Sequence, residues 1–145
     1  MKLSTKGRYG VRAMVDLAIN YGKEPVSIKS IAERQNISEY YLEQLFSSLR
    51  RADLIKSIRG AQGGYILSKT PDEITVSDIM EVLEGPLDLS ECILEGTCSN
   101  MDSCSTRLLW VKIKESIEKV TKSTTLQHLA QDYNKLKDIN RKEKI

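Results

Sequence analysis

Apolar residues recur every three or four positions along most of the chain, the period of a helix with one buried face. The first such run covers about 6–21, where Tyr9, Val11, Met14, Val15, Leu17 and Ala18 recur at helical spacing. Thr5 is placed to cap it and Gly22 to stop it. Pro25-Val26-Ser27 introduces a shorter run whose apolar stripe is Ile28, Ile31 and Ala32, ending near Asn36. Ser38 then predicts an N-cap, with Glu39 in the first turn, where the positive helix end favours an acid. Leu42, Leu45, Phe46 and Leu49 follow as an i, i+3, i+4, i+7 stripe.

Periodicity then changes. Residues 54–59 and 65–67 are β-favouring runs around Gly60-Ala61-Gln62-Gly63-Gly64, a connector that suits a hairpin. Two helices, a third helix and a basic-rimmed hairpin predict a winged helix-turn-helix, mainly α with a small β wing. Thr75 and Asp78 have capping-box spacing and open a helix that stops at Gly85-Pro86. From Ser105 a longer helix carries Leu109, Trp110, Ile113, Ile117 and Val120 along one side. A final amphipathic segment holds Leu126, Leu129, Ala130, Tyr133 and Leu136, and the polar tail 140–145 is expected to fray. Three regions result: a DNA-binding head over 1–86, a loop over 87–104, and a dimerisation helix with C-terminal segment over 105–145.

Composition narrows the class. With 145 residues, 40% hydrophobic and 29% charged, the chain can bury a real core but is too short for a multidomain enzyme. No apolar run is long enough to span a membrane and no signal-peptide pattern is present, so a cytoplasmic location is expected. The net charge of +2 hides a split, because 12 basic and 6 acidic residues fall in 1–69, leaving that part at +6 and the remainder at −4. A basic front half fits a polyanion-binding head, and it also fits a merely solvated surface.

The third helix turns an outer face of Tyr40, Glu43, Gln44, Ser47 and Arg51 away from its apolar stripe. Gln44 can pair with adenine, Arg59 at the wing base can reach guanine or a minor-groove edge, and Glu43 can accept from cytosine. Ser38, Tyr40, Tyr41 and the amides that open the helix can hold phosphate, with Lys2, Lys6, Arg8, Arg50 and Arg51 adding charge. Gly60 permits the wing to turn close to the backbone of a double-stranded operator. No Ser/His/Asp, Cys/His or paired-carboxylate arrangement, phosphate loop or dinucleotide motif occurs, so an enzyme is not expected.

Cys92, Cys98 and Cys104 lie five residues apart in the loop, which also holds Gly96. An odd count confined to one loop fits a secreted disulfide framework badly. Convergent thiolates can bind a soft metal or an iron–sulfur cluster, and they can equally be bland or redox-reactive thiols.

The stretch 1–14, the segment 38–49, the wing 59–65 and the three cysteines closely resemble the IscR-like iron–sulfur cluster regulators. These winged helix-turn-helix transcription factors also include the nitric-oxide sensor NsrR and the cysteine-metabolism repressor CymR. The resemblance spans nearly the whole chain and implies a homodimeric transcriptional regulator. It further implies a 2Fe-2S cluster on Cys92, Cys98 and Cys104, with control of iron–sulfur cluster biogenesis genes. The family's fourth ligand is a histidine at the position of Arg107, and a guanidinium is not a credible iron ligand. Asp102, Glu91, Glu95, Ser105 or a water are the alternatives. The only histidine, His128, lies in the last segment, where a structural or surface role is expected. Arg8 replaces the aspartate that serves the four-iron sensor, and Glu43 matches a residue that discriminates two operator classes. A cluster-free regulator answering thiol oxidation, a small molecule or a partner enzyme is the alternative, and an electron carrier is a further one.

Overall fold

The N-terminal helix starts one residue earlier than its periodicity predicts, because a serine supplies the cap. In the computed structural model, which describes residues 4–87 and 103–143, α1 (Thr5–Ile19) has Ser4 as N-cap, its side chain accepting from the Gly7 amide. The helix ends at Asn20, short of Gly22. Asn20 returns its side-chain amide to the Asp16 carbonyl at 2.8 Å and satisfies the last turn there. Gly22 instead takes up φ 82° in the turn beyond.

Ser27 caps α2 (Ile28–Gln35) and Ser38 caps α3 (Glu39–Arg51), each accepting from the amide three residues on. Between them Asn36 adopts φ 54°, ψ 51°, the left-handed conformation that reverses the chain between the two helices. The next reversal is a Schellman motif: Leu54 N donates to Leu49 O and Asp53 N to Arg50 O, both at 3.0 Å, with Asp53 at φ 60°. Leu49 and Leu54 are both buried there.

The wing is an antiparallel pair, β1 (Ile55–Ile58) and β2 (Gly64–Leu67), in the register Ile55 to Leu67 through Ile58 to Gly64. Sequence patterning does not reveal its third partner. Val26, ahead of α2, exchanges two backbone bonds with Tyr65, at 3.0 and 2.8 Å. Gly64 permits this approach, since a Cβ there would collide with the Val26 carbonyl.

A 3-10 turn (Pro71–Glu73) leads to α4 (Val76–Glu84), which opens with the expected capping box of Thr75 and Asp78. Beyond the cysteine loop come α5 (Ser105–Ser123) and α6 (Leu126–Glu143). The last helix runs through the tail expected to fray, as far as Glu143. The described residues are therefore mainly helical with one two-stranded hairpin. Its core gathers Met14, Ile31, Leu42, Phe46, Leu49, Ile55, Ile74, Ile79 and Leu126. Leu126 reaches this core because Leu126 N donates to Ile74 O and Val76 N to Thr124 O, pinning the α5–α6 junction to the start of α4. No helix among the described residues is long and apolar enough to cross a membrane.

Candidate nucleic-acid interface

The burial of α3 sorts its residues into two sides. Leu42, Leu45, Phe46 and Leu49 are 0 to 3% exposed, which fixes the helix against the core and leaves the opposite side to solvent. Tyr40, Glu43, Gln44, Ser47, Arg50 and Arg51 are all exposed, Tyr40 at 72%. Ser38 is also exposed, but its hydroxyl already accepts from the Tyr41 amide at 3.1 Å.

Tyr41 has a different environment from the other predicted contacts. It is half-buried, its ring meeting that of Tyr9 edge-on at 6.0 Å. It lines a groove of about 600 Å³ together with Ser4, Lys6, Leu83 and Glu84. The Glu84 carboxylate accepts from the amides of Ser4 and Gly7 at 3.0 and 3.2 Å. It therefore occupies the positive end of α1, and a phosphate would have to displace it there.

Behind α3, a polar network holds the head together. Arg34 donates from Nη2 to Asp16 Oδ1 at 2.7 Å and from Nε to Oδ2 at 3.0 Å, a bidentate pair joining α2 to α1. Asp16 is 3% exposed, and Gln35 Nε2 adds a donor at 3.1 Å. The hydrogen bond to Asp16 holds the Arg34 guanidinium above its ordinary value, so Arg34 stays cationic at any working pH. Arg12 donates to the Gln35 carbonyl at 2.6 Å and lies over the Tyr9 ring at 5.5 Å. Sequence reasoning missed this network. Its ion pair joins residues 18 apart, a separation that leaves no periodic trace.

At the wing, Arg59, Gly60, Ala61 and Gln62 are exposed, and Gly63 N closes the turn onto Gly60 O at 3.0 Å. Gly60 sits at φ 119°, a conformation that L side chains rarely adopt. The Val26 bridge ties the hairpin to the residues just before α2, so wing and α3 belong to one packed head. Such a face can place side chains in a groove while the wing meets the backbone beside it.

Of the three cysteines, Cys92 and Cys98 lie outside the described residues, as do Glu91, Glu95 and Asp102. Cys104 is the N-cap of α5, and its Sγ lies 3.1 Å from Thr106 Oγ1. That hydroxyl, then the Arg107 amide, then the Arg107 charge, hold the thiol below its ordinary value. The first turn of α5 has neither a side-chain cap nor an acidic residue. Arg107 Nε is buried and has no hydrogen-bond partner among the described residues. His128 is committed elsewhere: its Nδ1 accepts from Thr125 N and its own amide donates to Thr125 Oγ1, both at 3.2 Å, capping α6. The Cys104 thiol, so placed, is one credible soft-metal ligand, while the described residues gather no group of three or more metal-binding side chains.

The Rrf2 family model, described as an iron-dependent transcriptional regulator, matches residues 3–132. The HTH-type transcriptional regulator CymR of Bacillus subtilis is 52% identical over 130 residues, 90% of either chain. Its structure, described as that of the global cysteine regulator, superposes with a TM-score of 0.77 at 48% identity, covering 90% of this chain and 97% of that one. IscR of T. potens superposes equally well, with a TM-score of 0.77 at 51% identity, covering 92% of this chain and 88% of the other.

Proposed function

The chain belongs to the Rrf2 family of DNA-binding transcriptional regulators, and from that premise we propose that it is a homodimer whose operator binding is modulated by an iron–sulfur cluster, 2Fe-2S in type. Its targets are genes of iron–sulfur cluster biogenesis. The observation that supports the cluster is the start of α5, where Cys104 stands as N-cap with its thiol held below its ordinary value by the Thr106 hydroxyl. Cys92 and Cys98 would complete the protein's sulfur ligands. When bound, such a cluster supplies one-electron chemistry and sensitivity to oxidants.

Base reading falls to Glu43, Gln44 and Arg59, and phosphate contacts to Ser38, Tyr40, Tyr41, Arg50 and the turn at Gly60. Ser38 contributes through the helix end it caps. Tyr41 contributes through its place against Tyr9, as its ring is packed inward. The division into a head over 1–86, a ligand loop over 87–104 and a dimerisation region over 105–145 belongs to the same proposal. Dimerisation is supported by α5, none of whose residues is buried, with Leu109, Trp110 and Val120 at 48%, 37% and 63% exposure. A stripe so apolar and so uncovered needs a partner, and a second copy brings the same stripe.

A second reading is favoured by the likeness to CymR. It keeps the DNA-binding head and replaces the cluster by thiol oxidation, a small molecule or a partner enzyme as the signal. Iron and acid-labile sulfide, measured on full-length protein purified without oxygen, separate the two. About two irons and two sulfides per chain are expected. Their loss from the variant with Cys92, Cys98 and Cys104 all replaced by alanine, with the helical circular dichroism unchanged, would assign the ligands. Absence of both from the wild-type chain after reconstitution would leave the second reading.

A further inference from the structure

Arg12 is an exposed cation of the basic head, the kind of side chain that ordinarily meets a phosphate. Its guanidinium is instead engaged on two sides. Nη2 donates to the Gln35 carbonyl at 2.6 Å and Nε to Gln35 Oε1 at 3.3 Å, at the C-terminal end of α2. A cation there answers the negative helix end and fills a carbonyl that the last turn leaves open. The same group lies over the Tyr9 ring, 5.5 Å from its centroid. Tyr9 in turn meets Tyr41 edge-on, in the first turn of α3.

Arg12 thus reaches both sides of the turn over 36–38, directly at α2 and through Tyr9 at α3. The α2 contact is anchored in the interior, because Gln35 Nε2 donates at 3.1 Å to the buried Asp16 carboxylate that Arg34 also holds. The arrangement needs a flat cation that stacks on a ring and a fork that donates along its edge. A guanidinium is both, and an ammonium on a flexible stem is not.

We propose that Arg12 is a positioning residue for operator recognition, bracing Tyr9 against Tyr41 and tying that pair to the end of α2, so that α3 is presented to base edges at a fixed angle. The inference rests on the base-reading role given to α3 above and is independent of the cluster. Hydrogen bonds from Glu43 and Gln44 to bases tolerate a distance window of about 0.5 Å, whereas long basic side chains can follow a displaced phosphate. Loosening the brace therefore costs sequence recognition and spares nonspecific binding. A phosphate contact at Arg12 has the opposite signature, an equal loss on every sequence with a shallower salt dependence.

The test uses the full-length chain and two fluorescent duplexes, one enriched by wild type from a random-sequence pool and one with that sequence scrambled. Arg12→Met, Arg12→Lys and Tyr9→Leu are compared with wild type by anisotropy across a salt series, with thermal melting followed by circular dichroism. Arg12→Met is expected to weaken binding to the enriched duplex by about fivefold or more and to the scrambled one by less than about twofold, with the wild-type salt slope. Arg12→Lys, which keeps the charge and loses the fork, should weaken binding as Arg12→Met does. The losses from Arg12→Met and Tyr9→Leu should not add in the double variant, since both act through one stack. Equal losses on both duplexes, a salt slope shallower by about 0.9 in Arg12→Met, or recovery by Arg12→Lys would make Arg12 a phosphate contact and overturn the proposal. A lower melting temperature with an unchanged ratio between the duplexes would make its role structural alone, and would overturn it too. Should Arg12→Met not fold, Arg12→Lys carries the same comparison. A wild-type chain that enriches no sequence fails at the first step and removes the base-reading role itself, before any variant is compared.

Discussion

Asp16 is the buried acid among the described residues, and its environment explains why it is tolerated. A carboxylate taken out of water needs its lone pairs filled, and Arg34 and Gln35 fill them while Asn20 stands nearby. Arg34→Met would leave the carboxylate with weaker partners, so unfolding in urea should report a loss of about 1–3 kcal/mol. A loss below about 0.5 kcal/mol, the usual surface range, would show that water already satisfies Asp16. Glu43 acts at the same scale on the opposite side of the head. If it reads bases as proposed, its carboxylate would penalise a wrongly placed base or phosphate by about 1–3 kcal/mol, so Glu43→Ala should narrow the affinity ratio between operator classes. Unchanged ratios in a binding titration would refute its discriminating role.

Elements succeed or fail at their ends and close approaches. The wing depends on Gly64, where an added Cβ would collide with the Val26 carbonyl. Gly64→Ala should therefore destabilise the head by about 1–3 kcal/mol and weaken operator binding, seen together in thermal unfolding and gel shift. At the end of α3, Asp53 holds a left-handed conformation that a β-branched residue adopts only with strain. Asp53→Val should cost about 1–2 kcal/mol, whereas Asp53→Gly should cost little or nothing. A similar loss in both variants would mean that the Asp53 side chain, and not its backbone, matters. The helices themselves were legible because their apolar residues recur at helical spacing, and in α3 that stripe is the buried face. The Ser4 cap and the Asn20 stop were missed, since neighbouring Thr5 and the more familiar breaker Gly22 carry the same local signals.

Across the whole molecule, the charge split and the apolar stripe of α5 make one picture. In the proposed dimer a basic head would read DNA, and the exposed stripe would pair two heads so that they address a palindrome together. Charging that stripe with Leu109→Glu and Val120→Glu should shift sedimentation from dimer to monomer and lower operator affinity by more than tenfold. Persistence of the dimer would move the interface elsewhere. Affinity should also fall steeply with salt, as it does when lysines and arginines release counterions from phosphate.

The sequence by itself determined the order of helices, the hairpin, the α4 capping box and the polar outer face of α3, because each rests on local propensity and one-sided burial. It also separated the basic head from the three cysteines. Tertiary structure alone decided how those parts are fastened. The Asp16–Arg34 pair, the Val26 bridge to the wing, the Glu84 carboxylate on the start of α1 and the seating of Leu126 in the core all join distant residues. No periodicity encodes such contacts, since the partners meet only after the chain has folded.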